Sequence, residues 1–295
     1  MKRNVLQGEN ERRFGYVQAL VRVLVDPPER PAWIRVVFRL LPAQLLTAIA
    51  LLAGCVTAPA MVGTPTGSVI WETLAPGMER RFYSPGGEYG LTQFVALRID
   101  PLQYTFSAHY RPGAPLSLTG WRDALPGAVA FVNANYFDPE NHALGLVVAD
   151  GVPYGHAYQQ FGGMLQVQSG IVRVRSTLLE PYVGEALDQA VQAFPMLITA
   201  GQASFDNPKG DRVARRTVVG QDKEDRIILI TTTSLSGMKL VDLSKYLATT
   251  DLQLVNAVNL DGGASSLLAL NLPDQPPYFI PSFDPVPTVL AVYPR

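Results

Sequence analysis

The chain has 295 residues, of which 47% are hydrophobic and 17% charged, and its formal net charge is −1. This composition excludes a disordered chain, which would be rich in charge and poor in aliphatic residues, and the lack of a basic excess argues against nucleic acid as a partner. A single cysteine excludes a disulfide within the chain and a cysteine-rich zinc site. The 25 glycines and 24 prolines indicate many turns and short elements.

The N-terminal region has the features of a secretory signal. Leu40–Ala53 is a mostly apolar run that follows Arg35 and Arg39. Such a run would form a helix of about 21 Å, short of the roughly 30 Å of a bilayer core, so a signal is favoured over a membrane-spanning helix. Leu52–Cys55 resembles the lipobox of bacterial lipoproteins, in which the cysteine is acylated after cleavage just before it. A buried apolar cysteine is the alternative for Cys55.

These features divide the chain into three parts. Residues 1–54 are predicted to be a signal region, within which residues 1–34 are best explained by a start codon assigned too far upstream. Residues 55–68 are predicted to be a lipidated tether, and residues 69–295 a single domain. Val56 rather than Asp follows the cysteine, which by resemblance to the sorting rule of Gram-negative lipoproteins predicts an outer-membrane anchor facing the periplasm.

The elements of the domain are predicted from hydrophobic pattern and turn residues. The predicted strands are Gln93–Arg98, Gln103–His109, Ala128–Asn133, Ile171–Val174, a Pro-led strand within Phe194–Gly201, Arg216–Val219, Arg226–Thr232 and Leu254–Asn259. Glu185–Ala193 and Leu240–Leu247 are predicted to be helices. Because consecutive strands lack crossover-length spacers, a purely parallel sheet is disfavoured. We therefore predict an α+β fold, a β-rich mixed sheet with a few flanking helices in a single domain.

The most informative motif, NLDGGASS, directly follows the last of these strands. Asp261 stands where the apolar strand ends, and two glycines then allow a sharp turn and a close backbone approach. Serine hydroxyls and amides beyond them can bind an anion or a sugar oxygen. An ordinary Asp-Gly hairpin turn is the alternative. The residues of this motif expected to bind substrate are Asn259, Gly262, Gly263, Ser265 and Ser266.

A second motif follows the predicted strand AVAFV. Asn133 and Asn135 alternate along the chain and would share one face, where their amides could hold sugar hydroxyls together. Asp138 supplies a further carboxylate, and Tyr136 or Phe137 a stacking wall. An Asx turn at the strand end with core aromatic residues is the alternative.

Arginine begins a third motif. Arg216 precedes Thr217 at the start of a strand, where its guanidinium could bind a phosphate through two parallel hydrogen bonds. Paired arginines such as Arg215 and Arg216 are also common on solvated surfaces, so this motif alone is weak. The segment Phe194–Gly201 is interpreted as structural.

Together the motifs resemble the phosphodiester glycosidase domain family. The matching segments, in the order of the family pattern, are Asn133–Asp138, Gly145-Leu146, Pro195–Gly201, Arg216–Gly220 and Leu260–Ser265. The resemblance runs from about Asp100 to Ser266, and the Leu-Asp-Gly-Gly-x-Ser element is its most specific part. One departure is Ala134-Asn135, where the family more often has Gly-Gly.

The resemblance implies a hydrolase that cleaves a sugar from a sugar-1-phosphodiester or polysaccharide at the anomeric carbon. Arg216 would then be the cation for the phosphate. Asp261 or Asp138 would act as nucleophile, as base for water, or as stabiliser of an oxocarbenium-like transition state. No cofactor or metal is implied, although an Asp- and Asn-bound Ca²⁺ stays open.

Two other classes of function remain open. A metal-dependent phosphodiesterase would cut the P–O bond with clustered ligands, but the three histidines, His109, His142 and His156, are scattered along the sequence. A non-catalytic lipoprotein could keep the fold and bind a glycan or sugar phosphate without turnover.

Overall fold

The structure is a computed structural model that describes residues 70–295. The predicted signal, the tether and Cys55 lie outside the described residues. The described part contains two α-helices, α1 (Leu118–Ala124) and α2 (Leu240–Thr249), and a 3₁₀ turn at Gly263–Ser265. Its strands are β1 (Glu72–Ala75), β2 (Met78–Tyr83), β3 (Phe94–Ile99), β4 (Tyr104–Tyr110), β5 (Ala130–Asn133), β6 (Tyr136–Phe137), β7 (Ala143–Leu144), β8 (Val147–Ala149), β9 (Val152–Tyr154), β10 (Gly163–Gln168), β11 (Ile171–Ser176), β12 (Gln189–Ala193), β13 (Met196–Thr199), β14 (Gln202–Ala203), β15 (Thr217–Asp222), β16 (Ile227–Thr232), β17 (Leu254–Asn259), β18 (Leu268–Leu270), β19 (Tyr278–Ile280) and β20 (Thr288–Pro294).

The strands form antiparallel sheets. Within residues 70–295, one sheet has eight strands in the order β1-β2-β3-β16-β15-β17-β13-β14, and two have five, β11-β10-β12-β8-β9 and β19-β18-β5-β20-β4. A short hairpin pairs β6 with β7. Every strand pairing described is antiparallel. The predicted mixed α+β sheet is therefore corrected to a mostly β fold, although the preference for many short strands over a parallel sheet is confirmed.

The eight-stranded sheet is covered on both faces, which explains why its central strands are continuous apolar runs. Strand β16 is buried at all six positions, and β3 at five of its six. On one face its side chains pack against strands of the two five-stranded sheets. On the other face they pack against α2 through Leu243 and Leu247. The sheet that carries the Asp261 motif is thus the central layer of the described domain.

The helix predictions had mixed outcomes. The predicted helix at Leu240–Leu247 is confirmed as α2. The helix predicted at Glu185–Ala193 is wrong, because Gln189–Ala193 is strand β12, buried at every position and paired with β10 and β8. Helix α1 was not predicted; Ser117 caps it by accepting a hydrogen bond from the Gly120 amide at 3.2 Å.

The helices of the described region are short. Neither α1 nor α2 has the length and apolar character that crossing a bilayer would require.

Candidate active site

Asp261 follows strand β17 at one end of the central sheet. Residues of neighbouring strands hydrogen-bond to the loop that begins there. The Leu260 amide donates to the Thr217 carbonyl at 2.8 Å, and the Asp261 amide donates to the Ala134 carbonyl at 2.9 Å. The Asn133 side-chain amide donates to the Asp261 carbonyl at 2.7 Å. The second and third sequence motifs therefore meet the first at Asp261.

The two glycines of the motif, Gly262 and Gly263, have different structural roles. A Cβ on Gly262 would lie 2.8 Å from the Arg215 carbonyl oxygen, so only glycine allows this approach. Gly263 has φ +63°, a left-handed conformation that favours glycine, and its amide donates to the same carbonyl at 2.8 Å. The chain is thereby turned into the 3₁₀ turn that carries Ser265.

Asp261 is only partly exposed, and its carboxyl group has an unusual pKa. Burial raises the pKa from its ordinary value of 3.8 to about 7, and the charge of Asp284 adds to the rise. Hydrogen bonds from the Ser265 hydroxyl and the Gly262 amide act in the opposite direction, the latter at 2.8 Å. A carboxyl group with a pKa near 7 can both accept and donate a proton at neutral pH.

Arg216 is buried, unlike a solvated surface arginine, and the protein itself binds much of its guanidinium. Its Nε donates to the Met238 carbonyl at 2.8 Å, and its Nη2 donates to the Arg212 carbonyl at 2.5 Å and to the Asp211 carboxylate at 3.3 Å. Burial lowers its pKa, but an arginine stays charged. The predicted two-pronged grip on a phosphate is therefore corrected, because only Nη1 lacks a hydrogen-bond partner among residues 70–295.

Asn133 is buried and hydrogen-bonds to three residues around the site. Its carbonyl oxygen accepts from the Thr217 hydroxyl at 2.8 Å and from the Leu267 amide at 3.0 Å. Its amide nitrogen already holds the Asp261 carbonyl. The prediction that Asn133 and Asn135 jointly bind sugar hydroxyls is corrected for Asn133, because both its carbonyl oxygen and its amide nitrogen hydrogen-bond within the protein.

The other two asparagines are also buried, but each keeps one unused oxygen. Asn135 Nδ2 donates to the carbonyls of Gln192 at 2.8 Å and Leu146 at 3.1 Å. Asn259 Nδ2 donates to the Tyr136 hydroxyl at 2.6 Å. Within the described residues, the Oδ1 atoms of both asparagines have no partner. Ser266 is likewise fully buried with an unpaired hydroxyl, so it lines the inside of the loop.

The described contacts of Asp138 lie in its own turn and not with the cluster around Asp261. It lies in the turn between β6 and β7, where its Oδ1 accepts from the His142 amide at 2.7 Å. Its own amide donates to the His142 carbonyl at 2.9 Å. The structure therefore gives Asp138 the role of a turn-stabilising Asx residue, and the second acidic group that acts on Asp261 is Asp284.

Tyr136 lies near both charged groups of the site, Asp261 and Arg216. Its hydroxyl donates to the Phe194 carbonyl at 3.0 Å, and its ring is stacked on that of Phe194 at 4.7 Å. Burial raises its pKa, the charge of Asp261 raises it further, and that of Arg216 lowers it. The phenol is thus within electrostatic reach of both Asp261 and Arg216 and remains protonated.

Sequence reasoning missed several residues that shape this site. Asp284 raises the pKa of Asp261, and Tyr158 lies within electrostatic reach of Asp261, but each lies in a loop without a recognisable pattern. Asp211 accepts from the Leu240 amide at 2.8 Å and the Val241 amide at 2.9 Å at the start of α2. Asp211 lies 29 residues before Leu240 in the sequence, so no local capping pattern could have identified it.

Two further features of the described residues are their potential to bind a metal and an open groove away from this cluster. In the part of the chain that the structure describes, no three His, Cys, Asp or Glu side chains come together as a metal site. An open groove of about 550 Å³ lies at the opposite end of β5. Its lining shares no residue with the Asp261 cluster: Pro126, Gly127, Ala128, Val129, Asn271, Leu272, Pro273, Gln275, Pro277 and Pro294.

Comparison with known proteins identifies the class. The chain belongs to the phosphodiester glycosidase family, a family of hydrolases, because the family's model matches residues 126–293, more than half of the sequence. It is 28% identical over 227 residues to N-acetylglucosamine-1-phosphodiester α-N-acetylglucosaminidase from Bos taurus. That match covers 65% of this chain and 41% of the bovine protein, so the chain spans about two fifths of its relative's length.

Solved structures share the fold. The catalytic domain of the zebrafish N-acetylglucosamine-1-phosphodiester α-N-acetylglucosaminidase, auto-inhibited by its pro-peptide, matches with a TM-score of 0.58 and 19% identity over 76% of this chain and 86% of that one. A hypothetical protein from Synechocystis matches with a TM-score of 0.51 and 17% identity, over 75% and 62% of the two chains. At these identities the likeness concerns the fold alone.

Proposed function

We propose that this protein hydrolyses a sugar-1-phosphodiester at the anomeric C–O bond, releasing a free sugar and a phosphomonoester. The observation that carries the proposal is a carboxyl group with a pKa of about 7 at the exit of a central strand, with a buried arginine nearby. Family membership supports the reaction type, and the name of the bovine relative supports N-acetylglucosamine as the first sugar to test.

The proposed mechanism follows from the protonation states of these groups. Ionised Asp261 accepts a proton from the water that attacks the anomeric carbon. As the new C–O bond forms, the bond from the anomeric carbon to the phosphate oxygen breaks, and its electron pair leaves with the phosphate. Arg216 stabilises that negative charge, and its Nη1 is the atom free to contact it. A phosphomonoester leaves readily, so electrostatic stabilisation matters more here than protonation of the leaving group.

The proposed location is the bacterial envelope. The lipobox at Cys55 predicts a lipid anchor, which would hold the domain at the outer membrane on the periplasmic side. Envelope or extracellular glycans bearing sugar phosphodiesters are then the accessible substrates.

The products of one substrate separate the candidate functions. The full chain is incubated with methyl N-acetylglucosamine-1-phosphodiester, and free N-acetylglucosamine is quantified. Asp261→Asn should lower turnover by about 10²-fold or more, since general acid–base groups contribute this much. The exposed Asp274→Asn is the matched control and should match the wild type.

Other outcomes favour the alternatives. N-acetylglucosamine-1-phosphate without free sugar would indicate a phosphodiesterase, and binding without either product would indicate a glycan-binding lipoprotein. If Asp138→Asn lowered turnover as much as Asp261→Asn, Asp138 would be a residue of the active site.

A further inference from the structure

The loop between β9 and β10 presents an aromatic residue, Tyr158, that the mechanism above does not use. A single buried side chain fixes its backbone. Gln192, on β12, accepts a hydrogen bond from the Tyr158 amide at 2.7 Å and donates one to the Tyr158 carbonyl at 3.1 Å. The same side chain accepts from the Leu146 amide at 3.2 Å. Because its relative exposure is 0%, water does not compete for these hydrogen bonds.

A glycine of the family pattern makes room for the Tyr158 ring. A Cβ on Gly145 would lie 2.8 Å from Tyr158 Cε2 and 2.9 Å from the Gln192 carbonyl oxygen. The loop approaches equally closely at Gly155, where a Cβ would lie 2.3 Å from the Gly145 carbonyl oxygen. Any larger residue at either position would displace the loop, so the sequence is built to keep Tyr158 where it is.

A chain of aromatic contacts leads from Tyr158 to Asp261. The Tyr158 ring is stacked on Phe161 at 4.8 Å and meets Phe194 edge-on at 5.3 Å. Phe194 in turn is stacked on Tyr136 at 4.7 Å, whose hydroxyl is bound by Asn259, two residues before Asp261. The rings therefore form one continuous aromatic wall whose last member, Tyr136, hydrogen-bonds to Asn259 of the Asp261 motif.

The Tyr158 hydroxyl is available for a ligand. It makes no hydrogen bond to any residue within 70–295, although Gln192 and the neighbouring rings hold the side chain in place. Burial raises its pKa, and electrostatic interaction with Tyr136 and Asp261 adds to the rise. The phenol therefore keeps its proton and can donate a hydrogen bond to a ligand.

We propose that Tyr158 contacts the substrate and determines its specificity: the ring packs against the apolar face of the sugar, and the hydroxyl donates a hydrogen bond to a substrate oxygen. This inference rests on the proposed function and extends it, because it assigns the sugar, rather than the phosphate, to the aromatic side of the site. Gln192 is the positioning residue that holds Tyr158.

Two substitutions separate the ring from the hydroxyl. The full chain is assayed on methyl N-acetylglucosamine-1-phosphodiester, and thermal unfolding of each variant is recorded. Tyr158→Phe should raise KM about 3- to 10-fold with kcat unchanged, which corresponds to one neutral hydrogen bond. Tyr158→Leu should raise KM by a further factor of about 10, because the stacking surface is lost as well. Tyr154→Phe is the matched control, since Tyr154 is exposed and contacts Tyr110.

The outcomes distinguish this inference from the function on which it rests. Wild-type KM in both Tyr158 variants, with sugar still released, would overturn the role of Tyr158 alone. A fall in kcat that parallels a fall in unfolding temperature for Tyr158→Phe would show a structural role and overturn it too. A wild-type protein that neither binds nor hydrolyses the substrate would overturn the proposed function together with the inference.

Discussion

The carboxyl group of Asp261 is held in surroundings that favour its neutral form. Burial removes water from the carboxylate, and the neighbouring Asp284 repels it, so that the pKa of the folded protein is about 7. The Gly262 amide and Ser265 hydroxyl offset this only in part. In the unfolded chain the pKa returns to about 4, so folding and ionisation of Asp261 oppose each other.

Replacing this one residue should therefore change how stability depends on pH. The folded protein holds a proton that the unfolded chain releases between pH 3.8 and about 7, so ionising Asp261 lowers the free energy of unfolding as the pH rises through this window. The Asp261→Asn variant has no carboxyl group at this position, so it does not lose stability in this way as the pH rises. Its stability relative to the wild type should grow by at most about 1.4 kcal/mol per pH unit, measured by urea unfolding at several pH values. A difference that does not vary with pH would contradict the raised pKa.

Arg216 is the second residue whose surroundings define its role. Arg216→Lys should remove the hydrogen bonds to the Met238 and Arg212 carbonyls, and it should lower the free energy of unfolding by about 1–3 kcal/mol while weakening phosphate-dependent binding. Arg173→Lys is the control, because Arg173 pairs with Glu180 in an exposed ion pair and should change stability by less than about 0.5 kcal/mol. If urea unfolding gave the two variants the same stability, the account of Arg216 as a buried, hydrogen-bonded residue would be contradicted.

At the scale of elements, the turn after β17 explains why two glycines follow Asp261. One glycine admits the Arg215 carbonyl and the other adopts a left-handed conformation. These are different physical demands, so the two positions should respond differently to the same substitution.

Paired substitutions test that difference. Gly262→Ala should destabilise the protein by about 1–3 kcal/mol, because a Cβ 2.8 Å from the Arg215 carbonyl oxygen overpacks the turn. Gly263→Ala meets open space and should cost about 1–2 kcal/mol from its backbone conformation, whereas Gly263→Asn should cost less, since Asn tolerates it. The comparison uses thermal unfolding of all three variants. An Asn variant at position 263 that is less stable than the Ala variant would contradict this account.

The same elements show how far sequence reasoning reached. Strands β3 and β4 were predicted with a shift of one residue, and α2 was predicted from its apolar spacing, because these patterns are local. Glu185–Ala193 has the composition of a helix, but pairing with two neighbouring strands outweighs that propensity. The motif around Asp261 could be predicted from the sequence because its residues are contiguous. Tyr158 could not, because Gln192, which positions it, lies 34 residues further along the chain.

At the scale of the whole molecule, the chain combines a family domain with a predicted lipid anchor. The family model and the solved relatives concern the domain, while the predicted anchor rests on the resemblance of Leu52–Cys55 to a lipobox. Cys55→Ser should release the protein from the membrane fraction, since the acyl chains supply the membrane affinity. Fractionation of cells that express either form measures this. A serine variant that stays with the membranes would contradict the anchor.

The central claim, cleavage at the anomeric carbon, is tested most directly by hydrolysis in H₂¹⁸O. Methyl N-acetylglucosamine-1-phosphodiester is the substrate, and the methyl phosphate released is analysed by mass spectrometry. Attack at carbon leaves all the original oxygens on phosphorus, so the methyl phosphate should carry no ¹⁸O. One ¹⁸O atom in that product would show attack at phosphorus and would contradict the account.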